Sequence, residues 1–436
     1  VILKTTERLF RHMNKRKLVV KTVAVVLALT PFLALTSNAN AAGPVTLTFW
    51  SRPQGENGGI VKQLADAYNA THTDIQLKIT IIPANDFVTK VATAYQSGEG
   101  PDLTSVDLIY VPFLASAGAL EDLSSLVAGL SYKDKWDPAH VKLSMYNKKW
   151  YSLPFTGDAS ALFYNKDLFK KAGLDPNKGH ASYQEVIDAA KKITALGGGN
   201  KGFYFSGACA GCQVFTFAPA IWASGGDMFG PIGEPKFTDP KVAAGLRYYN
   251  TMWKNGYVPE GAKTDDGKNF ASMFYSGKVG MQVSGSFMIP ELTTNHKDIN
   301  FGIVPIPGPK KGQSSSFNGG DNIALLKGAA HPAEAREFLK WATNEGQKVL
   351  AQQKVLPTRM DIAKSDYVPQ NPYYGVFYKA AEVGVAPWST VYPAMVNDAN
   401  GPWSRLITTT IFSGEIAKGV AAAQKTAEKI YKTAKK

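Results

Sequence analysis

Between residues 45 and 107 the sequence alternates between two hydrophobic periods, and that alternation limits the fold more than any other feature. Residues 45–50 (VTLTFW) read as an apolar strand. Residues 58–69 carry Ile60, Val61, Leu64 and Tyr68 at helical spacing, and 75–82 alternates as a strand again. A second helix is predicted over 86–96, stopped by Gly98, and 101–107 (PDLTSVD) reads as a short buried strand with an acidic end. Such a series opens an α/β sheet. Ligands of open α/β sheets bind in the crevice beyond the carboxyl ends of the strands, where Trp50 and Asp107 fall.

Upstream of this region, Asn14-Lys15-Arg16-Lys17 precedes an apolar run over 23–35 and the triplet Ala39-Asn40-Ala41. A basic segment, a short apolar stretch and small residues at the first and third triplet positions are what signal peptidase accepts, so cleavage is expected after Ala41. Residues 1–12 read as an over-extended gene start before Met13. A retained anchor is disfavoured because Lys21 interrupts the apolar stretch. With no Cys near the cleavage site there is nothing to lipidate, and a soluble, monomeric periplasmic protein starting at Ala42 is expected.

The roughly 395 residues after that point exceed one ordinary core and suit two domains. The formal charge of +13 falls to +7 once residues 1–41 are removed, since they carry seven Lys and Arg against Glu7. Lysines are spread along the chain and gather only at the carboxyl tail. No arginine-rich run or aromatic-basic interleaving appears, so nucleic acid is not an expected partner.

Cys209 and Cys212 are the two cysteines of the chain. In an oxidising compartment a local disulfide is the ordinary expectation. The competing reading is a redox-active pair, because 213–223 could form a helix whose amino end lowers a thiolate pKa, although Pro219 weakens that helix. Further helices are predicted over 183–196, capped by Ser182 and stopped by Gly197-Gly198-Gly199, and over 242–255, 332–351 and most of 402–436. A strand is predicted over 278–283, and Asn165 or Asp167 can cap a short helix ended by Gly173.

Several blocks in order along the chain carry a resemblance. Pro101-Asp102, Leu162-Phe163-Tyr164-Asn165-Lys166-Asp167-Leu168-Phe169-Lys170-Lys171-Ala172-Gly173-Leu174, Ser276-Gly277-Lys278-Val279-Gly280-Met281, and Gly319-Gly320 before a helix with Phe338-Leu339 resemble the family 1 extracellular solute-binding proteins, the sugar-type receptors of ABC importers. The chain departs from the family where Ser182-Tyr183 replaces the usual Thr-Trp. The resemblance implies a two-lobed α/β periplasmic binding protein fold with a hinge crossed three times and a ligand enclosed between the lobes. Proline-bearing connections at 154–156, 305–309 and 356–358 fit the crossings. Lobe one would then comprise 42–155 and 307–353, and lobe two 156–306 and 354–436.

A sugar site calls for aromatic faces against the pyranose ring, with carboxylates and amides for its hydroxyls. By position in the family pattern the candidates are Trp50, Arg52, Asp107, Asp158, Phe287, Asp321 and Asn322, with Trp222, Trp388 and Trp403 as further stacking candidates. Phe287 stands where the family often has tryptophan. It still stacks but cannot donate a hydrogen bond. The resemblance implies permease subunits of an ABC importer as partners and no cofactor or metal. Two rivals remain open. Arg52, Arg359 and Arg405 suit an anionic ligand such as a glycerol phosphate, whereas paired carboxylates in a cleft suit a glycoside hydrolase. The sequence contains neither G-x-S-x-G nor H-E-x-x-H, and His72, His140, His180, His296 and His331 are scattered.

Overall fold

The predicted alternation is realised in a computed structural model, which describes residues 43–55 and 58–435. The expected signal segment, 1–41, lies outside the described residues. Strand β1 (Val45–Ser51) leads to α1 (Gly59–Asn69), β2 (Ile75–Ile81), α2 (Ala84–Ser97) and β3 (Leu103–Asp107). Helix α1 buries Val61, Leu64, Ala65 and Tyr68, one face at helical spacing. Strand β1 pairs in parallel with both β2 and β3, so the carboxyl ends of β1 and β3 lie on one side of the sheet.

After α3 (Pro138–Ser144) comes the long strand β4 (Leu153–Asn165). There follow α4 (Tyr183–Thr194), β5 (Lys201–Tyr204), α5 (Ala210–Ala223), α6 (Pro240–Lys254), β6 (Val279–Gly285), β7 (Phe301–Val304) and β8 (Asn318–Leu325). Helices α7 (Pro332–Ala342) and α8 (Glu345–Gln352), strand β9 (Leu356–Pro357) and helix α9 (Ile416–Ala434) complete the main elements. Among the described residues, nine strands form one mixed sheet in the order β2-β1-β3-β8-β4-β6-β5, with β7 and β9 also on β4. The first half of β4 pairs with β8 and β9, whereas Ser160 to Asn165 pair with β6 and β7. One strand therefore belongs to both halves of the molecule.

Apolar packing divides the same way. Two clusters, one around Phe49, Phe155 and Phe338 and the other around Phe87, Val106 and Leu114, draw on residues before 156 and between 323 and 350. A third, larger cluster holds Phe163, Phe203, Tyr249, Met281 and Trp403, and reaches across to Leu108, Ile109, Ala139 and Leu143. The chain thus has two cores bridged by β4 and β8, a two-lobed α/β architecture.

Two local expectations are corrected. Helix α5 runs through Pro219 despite the missing N–H, because residues on nearly every side of it are buried and that packing outweighs the lost bond. The single helix expected over 332–351 breaks at Asn344, whose φ of −125° and ψ of −90° are non-helical and whose side-chain oxygen accepts from Arg359. The carboxyl-terminal stretch is largely helical as expected, broken only after Phe412, where Gly414 adopts a left-handed φ of 74° before α9 begins.

Candidate ligand-binding site

Arg52 directly follows β1, Asp107 ends β3, and Asp321 sits on β8 opposite Asp107 on one side and Thr156 of β4 on the other. Sheet register alone therefore brings together residues from distant parts of the sequence. The Arg52 Nε donates to Asp321 Oδ1 at 2.8 Å, its Nη2 donates to the same oxygen, and its Nη2 lies 3.5 Å from Asp107 Oδ2. The other Asp321 oxygen accepts from Gln54 at 2.7 Å and from Ser105 at 2.8 Å. Asp321 is wholly buried, whereas the Arg52 and Asp107 side chains keep 27% and 22% of their surface exposed. Asp321 acts as the anchor, and the other two keep part of their surface open to solvent.

Gly320 explains why this turn in β8 is built from glycine. Its φ is +108°, and a Cβ there would lie 1.9 Å from the Thr156 carbonyl oxygen, so only glycine allows the close strand approach beside Asp321. One residue earlier, Gly319 pairs with Asp158 of β4. Asp158 Oδ1 accepts from the Ala159 N–H at 2.9 Å, and the ring of Phe287 lies alongside, both flanking Gly285 at the end of β6. Phe287 is 50% exposed, an unusual allowance for a phenylalanine next to a carboxylate.

Burial dominates the electrostatics. It pushes the Asp158 carboxyl up to about 7, against the opposing pull of the Ala159 N–H and Arg52. Asp107 is raised to about 6, again chiefly by burial, with Arg52 opposing and Asp321 adding to the rise. Arg52 itself is held more firmly protonated, because the attraction of Asp321 and Asp107 outweighs its burial. Two carboxylates hold the guanidinium and a third, Asp158, lies within its field, so the site is rich in acceptors, and the raised Asp158 carboxyl can also donate near neutral pH.

The profile of the bacterial extracellular solute-binding protein family matches residues 52–349. The chain belongs to that family. A binding protein of Brucella abortus strain 2308 is 25% identical over 362 residues, covering 83% of this solute-binding protein and 87% of the relative. The sn-glycerol-3-phosphate-binding periplasmic protein UgpB of Brucella melitensis is 25% identical over 367 residues, covering 79% and 83%. Among solved structures, an ABC transporter solute-binding protein of Thermotoga lettingae bound with α-D-tagatose superposes with a TM-score of 0.77 at 22% identity, covering 89% of this chain and all of that one. The GacH receptor of Streptomyces glaucescens gives 0.76 at 24%, covering 89% and 99%. These likenesses establish the two-lobed fold.

Within this solute-binding protein the remaining candidates separate by burial and by committed hydrogen bonds. Trp222 is nearly buried, donates its indole N–H to Asp227 at 3.0 Å and stacks on Phe317 at 6.3 Å. Trp388 is half-buried and donates to the Met145 carbonyl at 3.2 Å. Trp50 is half-buried against the Phe87 and Val91 cluster under α2. Asn322 is wholly buried and fully committed, accepting from His140 at 2.8 Å and donating to Ser144 and Ser152, so it braces α3 against β8. Trp403 requires a correction. It is 0% exposed, packed 6.1 Å from Phe237 in the larger core, with no face open to a ligand, because Pro402 starts a short helix whose inner side it fills.

Sequence reasoning missed Gln54, Ser105, Tyr110, Tyr367 and Tyr392. Tyr110, in the turn after β3, packs edge-on against Tyr392 at 6.0 Å, and burial together with Asp107 raises its pKa. Tyr367 stacks on Tyr374 at 4.1 Å within the field of Asp158. Proximity to Asp107 could have flagged Tyr110. Nothing local marks Tyr367 or Tyr392. The disulfide between Cys209 and Cys212 is formed, and Cys209 caps α5, its Sγ accepting from the Cys212 N–H at 3.1 Å. Among the described residues no group of three or more His, Cys, Asp or Glu is arranged to hold a metal, and no helix is long and apolar enough to cross a membrane.

Proposed function

We propose that this chain is the substrate-binding receptor of an ABC importer and captures a neutral carbohydrate or polyol between its lobes. The observation that carries this reading is the arrangement of Asp107, Asp158 and Asp321 around Arg52, with Phe287 exposed beside Asp158. Sugar hydroxyls both donate and accept, and carboxyls near their pKa do the same, while an aromatic face covers the apolar side of a pyranose. The tagatose-bound and acarbose-bound neighbours support it by analogy of fold.

The glycerol phosphate alternative draws on the UgpB relatives, but two of the three guanidiniums named for it are already used, and the third, Arg405, is exposed on a helix away from Asp107 and Asp321 in sequence. Arg52 is held by two carboxylates, and Arg359 forks onto Asp361 at 2.9 and 2.8 Å while lying over Tyr132. A phosphate dianion would meet excess negative charge in the cleft. The hydrolase alternative is tested by incubation with oligosaccharides, where cleavage products would revive it.

The lobe limits we propose are 42–155 with 307–353 and 156–306 with 354–436; the two smaller apolar clusters fall within the first lobe, and the larger one lies mainly in the second. Secretion to the periplasm, cleavage after Ala41 and a monomeric state complete the reading, testable by amino-terminal sequencing and light scattering of exported protein. A start at Met13 in that protein would refute the cleavage site. A thermal-shift screen of sugars, polyols and sugar phosphates tests the ligand class. Stabilisation by glycerol 3-phosphate, with none by neutral sugars, would overturn the carbohydrate reading.

A further inference from the structure

We infer that the Cys209–Cys212 disulfide is a positioning element of the ligand site, setting the loop 264–270 and through it the aromatic pair Phe270 and Phe287. The inference rests on the carbohydrate reading only in treating Phe287 as a ligand platform. The disulfide sits directly on Gly267. With φ at +102°, a Cβ on Gly267 would come 2.8 Å from Cys209 Sγ and 3.2 Å from Cys212 Sγ, so the two sulfurs fill the space where any side chain would project.

The loop is tied to the same segment at its start. Buried Asp265 accepts from the Tyr204 hydroxyl at 2.6 Å, from the Ser206 hydroxyl, and from Asn269, and its carbonyl accepts from the Ala208 N–H at 2.9 Å. The Phe270 N–H then donates to the Gly267 carbonyl at 3.1 Å, and the Phe270 carbonyl accepts from Gln282 of β6. The Phe270 ring lies 6.4 Å from Phe215, on the helix that Cys209 caps, and 6.5 Å from Phe287. A covalent clamp at the start of α5 thus presses on the loop whose last residue backs the exposed ring beside Asp158. A cross-link spanning so few residues adds little by constraining the unfolded chain. Its geometric effect on Gly267 is specific.

The test compares the processed protein with Cys209→Ser/Cys212→Ser and, to guard against misfolding of that variant, with Gly267→Ala, which keeps the disulfide but displaces the loop. Deuterium uptake is followed over 264–271 and 284–288, and maltotriose affinity is measured in the native and Phe287→Ala backgrounds. Faster uptake in both segments for both variants is expected. Affinity should fall about five- to twentyfold in the native background and less than about twofold further once Phe287 is gone. Unchanged uptake in both segments overturns the inference. So does an equal loss of affinity in both backgrounds, which is the mark of a staple that acts on the fold as a whole. If maltotriose binds none of these proteins, the carbohydrate reading loses support, and the uptake comparison decides the positioning role alone.

Discussion

Arg52 donates through both Nε and Nη2 to a single carboxylate oxygen of Asp321, a partner 269 positions further along the chain. The pair joins the end of the first strand to a strand running antiparallel to its neighbours. It fixes the guanidinium so that its outer edge meets Asp107. Asp321 is wholly buried and serves Gln54 and Ser105 as well, so the protein's own hydrogen bonds fix this cluster of side chains.

Asp321→Ala leaves a partly buried guanidinium and two polar side chains without their acceptor. Removing one partner of a buried charge pair costs about 3 kcal/mol or more. Urea denaturation should show a loss of that order, and a variant as stable as the native protein would contradict the anchoring role.

Asp158→Ala removes an acceptor at the edge of the site without opening the core. Affinity for the best neutral ligand found by thermal shift should fall roughly tenfold to a hundredfold by titration calorimetry, equivalent to about 1 to 3 kcal/mol. Tighter binding after this change would point to an anionic ligand.

The raised carboxyls make the free protein's stability depend on pH with a definite sign. Asp158 at about 7 and Asp107 at about 6 hold protons in the folded state that an unfolded chain has released by about pH 4. Their contribution is therefore full below about pH 4 and is lost as pH rises toward 7. Melting temperatures between pH 4.5 and 8 should fall less steeply for Asp158→Asn than for the native protein, and parallel profiles would refute the assignment.

Trp388→Phe deletes the indole N–H that donates to the Met145 carbonyl, a bond that joins the two lobes we propose, while keeping an aromatic ring. The closed arrangement should be less populated, with an apparent affinity lowered about three- to tenfold and a larger radius of gyration by solution scattering in the free protein. Identical scattering curves would show that the bond does not hold the lobes together.

Much of this protein was decided locally. The strand-helix alternation over 45–107, the Ser182 cap with Glu185 in the first turn of α4, and the Asn165 cap follow from side-chain periodicity and short-range hydrogen bonds, and all are present. The positions of Arg52 and Asp107 at strand ends were equally legible, because that rule depends on chain direction alone. Tertiary structure decided the rest. Trp403 and Trp388 look alike in sequence, yet one fills a core and the other stays half-buried with its N–H on the Met145 carbonyl, since the packing of non-adjacent elements sets their burial. Pro219 inside α5 and the break at Asn344 show local preference overridden by burial and by a partner fifteen residues away, Arg359. The committed state of Asp321 and Asn322 and the pairing of Tyr110 with Tyr392 depend on strand register and lobe contact, which link residues hundreds of positions apart and leave no mark in either local sequence.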